Sequence, residues 1–98
     1  MNPEIAARLE RLGIAWVATE KGYTLFSREN CAAIGHEQAG ALSLGSSGVM
    51  TESGLAYLVW RDGQAFLAAH GGSQTPAAGE QLEAVRRFSE DLKAALAR

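Results

Sequence analysis

The chain has 98 residues, 47% hydrophobic and 20% charged, and its nine basic and eleven acidic side chains leave a net charge of −2. That composition excludes a disordered tail and a collagen-like or heptad-only rod, and the length suits a single domain, residues 1–98, able to bury roughly two-thirds of its unfolded surface. An acidic balance disfavours nucleic acid, whose binders carry a basic stripe to displace counterions; here Arg86 and Arg87 lie among Glu83, Glu90 and Asp91. No apolar run is long enough to span a bilayer, and Met1-Asn2-Pro3-Glu4 lacks the basic-then-apolar pattern of a secretory signal. Cys31 is the lone cysteine and has no disulfide partner within the chain, which fits a reducing compartment. The expected location is the cytoplasm.

The first element reads as a helix. Asn2 is a good N-cap and Pro3 suits the first helical position. Ile5, Leu9 and Leu12 recur on one helical face, and Gly13 supplies a left-handed stop. Ile14 to Ala18 and Tyr23 to Arg28 are short runs rich in apolar residues on either side of Thr19-Glu20-Lys21-Gly22, a β-hairpin pattern. Cys31 to Ile34 and Ala41 to Leu44 read as two middle strands separated by a turn or loop over residues 35–40. Gly45-Ser46-Ser47-Gly48 and Glu52-Ser53-Gly54 punctuate a short Val49-Met50-Thr51 segment. Leu55 to Trp60 and Gln64 to Ala69, joined through Asp62-Gly63, make the clearest hairpin in the chain. Gly71-Gly72-Ser73-Gln74 then connects to a final helix, with Thr75 as its cap, Pro76 as its opening residue and Leu82, Val85, Phe88, Leu92, Ala95 and Leu96 on its apolar face. Glu83 with Arg87, Arg86 with Glu90, and Arg87 with Asp91 are expected i,i+4 pairs on its wet side.

The expected fold class is therefore α+β: a mainly antiparallel sheet of about five to six strands, two hairpins plus middle strands, flanked by an N-terminal and a C-terminal helix. The hairpins also match at an offset of 41 residues, with Gly13 on Gly54, Trp16 on Tyr57, Gly22 on Gly63 and Leu25 on Phe66. Two hairpins with glycine turns resemble each other in any case, so the match establishes a shared hairpin pattern and leaves a true repeat open.

The second hairpin carries the functional expectation. A two-residue turn at Asp62-Gly63 sets Trp60 opposite Ala65, Val59 opposite Phe66 and Tyr57 opposite Ala68. Ala56, Leu58, Trp60, Ala65, Leu67 and Ala69 then share one face, and Leu55, Tyr57, Val59, Phe66, Ala68 and His70 the other, with Arg61 and Gln64 at its turn end. Both faces are largely apolar, whereas a sheet with one solvated face alternates apolar and polar. With the two helices packed on one face, the other requires a second subunit, a partner protein or a bound small molecule. With the helices split one to a face, it requires nothing further.

The expected function is thus a non-catalytic protein-interaction or homodimerisation module acting through an apolar sheet face, with Tyr57, Trp60, Arg61, Phe66 and His70 as the candidate interface. The alternative is a small-ligand-binding domain or minor enzyme with a site near His70 and Tyr57, with Cys31 as a further member. In that alternative, the glycines after His70 and the free N–H groups of a helix starting at Thr75 would line a small polar site. His36-Glu37 opens like a zinc-protease motif, but no histidine follows four residues on. Neither a metal, a cofactor nor a catalytic residue is expected.

Overall fold

A computed structural model describes residues 2–38, 41–52, 54–69, 71–72, 74–77 and 79–97. Helix α1 (Pro3–Arg11) begins as its sequence requires: the Asn2 side chain accepts a hydrogen bond from the Glu4 N–H at 2.8 Å, and Pro3 occupies the first turn. Gly13, at φ 73°, turns the chain out of the helix into β1. Among the described residues eight strands follow: β1 (Ala15–Ala18), β2 (Tyr23–Arg28), β3 (Cys31–Gln38), β4 (Ala41–Leu44), β5 (Gly48–Thr51), β6 (Gly54–Arg61), β7 (Gln64–Ala68) and β8 (Gln74–Pro76). Helix α2 (Gly79–Leu96) closes the order. All the strand pairings are antiparallel, in the order β1-β2-β3-β5-β6-β7-β8, with β4 also paired to β3. The α+β architecture matches the expectation, with more strands than the five to six expected.

One addition is β5, which the sequence marks only as a short segment between turn residues. The other is β8, which corrects the expected helix start. Thr75 and Pro76 do not cap and open α2; Gln74, Thr75 and Pro76 pair with Ala68, Leu67 and Phe66. The free edge of β7 offers a row of main-chain donors and acceptors, and pairing satisfies them. Proline is tolerated at such an edge position because its missing N–H can face away from the ladder.

Strand β3 also runs further than expected, through Gly35, His36 and Glu37 to Gln38, where the glycine-bounded sequence suggests a turn or loop. Residues 39 and 40 of that expected loop lie outside the described residues. Gly35 belongs in the strand because of its neighbours. A Cβ there would stand 3.1 Å from both the Phe26 ring and the Leu42 side chain, so the missing side chain makes room for an aromatic core residue.

The core lies between the sheet and both helices. Leu9 and Ile14 at the α1 end meet Val85, Phe88, Leu92 and Ala95 of α2 and Phe26, Cys31 and Ala33 of the sheet. A smaller cluster of Ala56, Ala65, Leu67 and Ala77 continues it under Leu82. The sheet residues involved (Trp16, Phe26, Ala33, Cys31, Val49, Ala56, Leu58, Leu67) stand opposite one another across the ladder, so they occupy one face. Both helices therefore cover the same face. Arg28 fastens them to it. Its guanidinium donates to Asp91 at 2.9 Å and to the Leu12 carbonyl at 3.1 Å, and lies 5.8 Å from the centre of the Phe88 ring. The expected Arg87–Asp91 pair is thus replaced: Asp91 pairs with Arg28, while Arg87 and Arg86 share Glu83 and Arg86 also reaches Glu90.

The register also decides the question of a repeat. Trp16 pairs with Phe26, whereas the residues an offset of 41 places there, Tyr57 and Leu67, are not partners: Tyr57 pairs with Ala68. The first hairpin turns after the Thr19–Tyr23 bond, with three residues in its loop, and the second turns through Asp62 and Gly63 alone. One residue of loop flips every side chain of the incoming strand. Trp16 accordingly faces the helices and Tyr57 faces away, so the two hairpins are not structural copies.

Candidate functional site

The helix-free face is built from alternate residues of successive strands. Val17 of β1 neighbours Leu25 of β2, which neighbours Ile34 of β3. Across the middle of the sheet, Ala32 stands beside Gly48 and Gly48 beside Tyr57, while Met50 pairs with Leu55. Tyr57 pairs with Ala68 and Val59 with Phe66, the predicted registers, and Phe66 in turn pairs with Pro76. Leu25, Ile34, Tyr57, Val59 and Phe66 are half-buried, and Val17 is 61% exposed.

Polar groups stand at the margins of this row. Tyr23 and His36 meet edge to face with ring centroids 4.4 Å apart. Arg61 donates to the Gln74 side-chain oxygen at 2.7 Å. An apolar centre with a polar rim is the usual composition of an interaction patch.

The four described candidate residues divide between two places. Tyr57, Arg61 and Phe66 come together on the helix-free face. Trp60 does not join them: it projects on the helix side and remains 63% exposed. His70 lies outside the described residues, as does Ser73. The helix start that was to complete a polar site at His70 is absent from its expected place, since β8 intervenes and α2 begins at Gly79. Cys31 is buried in the helix-covered core, on the face opposite Tyr57, and burial pushes its thiol pKa up. The structure therefore does not bring Cys31 and Tyr57 into one site.

Reading the second hairpin alone missed the first hairpin's share of this surface. The signal was present, because Val17 and Leu25 follow the same alternation. A second feature had no legible signal: a cleft of about 510 Å³ between α2 and the sheet, lined by Ser46, Ser47, Leu58, Trp60, Leu82 and Lys93 among others.

Among the described residues no group of three or more His, Cys, Asp or Glu side chains converges as metal ligands would, and no helix is long and apolar enough to cross a membrane. Comparison with protein-family models, with curated proteins and with solved structures found no match.

Proposed function

We propose that the protein acts by binding rather than by catalysis, and that it pairs with a second copy of itself through the helix-free face of its sheet. The observation that carries this reading is the placement of both helices on one side, which leaves Leu25, Ile34, Tyr57, Val59 and Phe66 half-buried with no helix packed over them. Apolar sheet surface without a covering layer is costly to leave in water and marks interfaces. Tyr57 and Phe66 supply the large, stiff side chains that anchor such contacts. A two-fold arrangement lets the same patch serve both partners, because the row is self-complementary in chemistry.

Sedimentation velocity over roughly 1–200 μM tests the proposal, with an expected dimer of about micromolar affinity. Phe66→Lys places a charge among the apolar side chains of the row and is expected to give a monomer with an unchanged far-ultraviolet circular dichroism spectrum. A wild-type protein that remains monomeric throughout that range would refute the reading.

A further inference from the structure

The sheet forks. Strand β3 pairs along one edge with β5 through Cys31 and Ala32, and further on with β4 through Gly35 to Gln38. On the far side of β5, strand β6 pairs through Gly54 to Tyr57 only, and its remaining residues, 58–61, pair with β7 alone. Gly45, Ser46 and Ser47 span the apex: the Gly45 N–H donates to Ile34 of β3 at 2.9 Å, while the Ser47 carbonyl accepts from the Leu58 N–H of β6 at 3.0 Å. Beyond that bond the prongs part. The Asp62-Gly63 turn makes Arg61 and Gln64 a hydrogen-bonded pair, so Leu58 and Trp60 direct their main-chain groups away from β7 and into the fork. Among the described residues no strand pairs with β6 at Trp60.

The 510 Å³ cleft opens at this edge, with Leu58 and Trp60 on one wall and Leu82 and Val85 of α2 on the other. Its lining carries two acids, Glu83 and Glu90, and two bases, Arg86 and Lys93. Arg86 is held by Glu83 and Glu90, whereas Lys93, at the far end of the same helical stripe, has no ion-pair partner among the described residues.

We propose that the fork receives an extended peptide segment of a partner protein, added as a strand to the edge of β6 at Trp60. One apolar side chain of the segment enters the cleft between Leu58, Trp60 and Leu82, and an acidic residue faces Lys93. The open edge selects for main chain at strand spacing, the cleft for an apolar side chain on its α2-facing side, and Lys93 for the sign of the flanking charge. This site is on the opposite side of the sheet from the self-pairing surface and does not depend on it.

The test is panning of a phage-displayed random heptapeptide library on the full chain, with counter-selection on Trp60→Ala, an exposed position whose loss leaves the core intact. Enriched sequences are expected to alternate apolar and polar residues and to include an acid. Synthetic fluorescent copies should bind with Kd of about 10 μM, and N-methylation at alternate main-chain nitrogens should weaken them about tenfold or more. Lys93→Glu should weaken binding severalfold, and a peptide with its acid changed to lysine should recover it. Phe66→Lys should bind as the wild type does. The proposal is overturned if panning enriches nothing relative to Trp60→Ala, if the N-methylated copies bind equally well, or if Phe66→Lys abolishes binding, which would assign the peptides to the helix-free face.

Discussion

The two faces of one sheet are made from the same kinds of residue and meet different fates. On the helix side, Phe26, Phe88, Leu9 and Leu92 are fully buried. On the other side, Leu25 and Phe66 occupy equivalent places in the ladder, one residue along from Phe26 and Leu67, and stay half-buried. Apolar patterning therefore specifies that a surface is to be covered without specifying what covers it. Two amphipathic helices bury the Phe26 part of one face while leaving Trp60 exposed, and Arg28, bonded to both the α1 end and α2, holds them there together.

The sharpest test of this contrast is to remove a ring from the covered face. Phe88→Ala should cost about 3–5 kcal/mol in urea denaturation, through lost burial and the cavity left behind. A much smaller loss would mean that the helix layer is loosely packed and the faces are alike. Gly48→Ala comes next. A Cβ at this position would overlap the Ala56 carbonyl of the adjoining strand, so the chain must shift where β5 meets β6. The expected cost is about 1–3 kcal/mol. On the open face, Val17→Thr should change monomer stability by less than about 0.5 kcal/mol, measured at a concentration below self-association. A larger loss would show the open face to be a core in its own right.

Cys31 gives the smallest signal. Its thiol pKa is raised by burial, with the cation of Arg28 acting in the opposite direction. The neutral thiol therefore supports folding fully below the unfolded thiol's pKa of about 8.5, and that support is lost as pH rises through the folded value. Native protein should react with iodoacetamide far more slowly at pH 7.5 than after unfolding, and stability should fall gently above pH 9. Rapid native labelling would contradict the burial.

Much of this was legible in the sequence, and the failures have physical causes. Asn2, Pro3 and Gly13 bracket α1 because caps act within one turn of chain. Asp62-Gly63 set the register of the second hairpin because both residues adopt positive φ, 51° and 78°, as a tight turn between twisted strands requires. Gly35 misled because a glycine that admits a neighbouring ring looks, in sequence, like a glycine that turns the chain. Thr75-Pro76 misled because an N-cap pattern and an edge strand share residues, and only the free side of β7 chooses between them. Of the candidate interface, Tyr57, Arg61 and Phe66 share one face as strand alternation requires, and the same rule puts Trp60 on the other. The cleft could not be anticipated, since it depends on where β4 and β6 diverge, a property of long-range pairing.

The Arg8 side chain donates to the carbonyls of Ala95 and Ala97, at 3.3 and 2.7 Å. These are acceptors that the C-terminal turn of α2 leaves without intrahelical donors, and the cation also suits the negative end of that helix's dipole. Residue 8 is synthesised 87 positions before residue 95. On the ribosome, then, α1 emerges early but can be latched only once α2 has cleared the exit tunnel, which makes its docking a late event in biogenesis and leaves Leu9 and Ile5 open to chaperones until then.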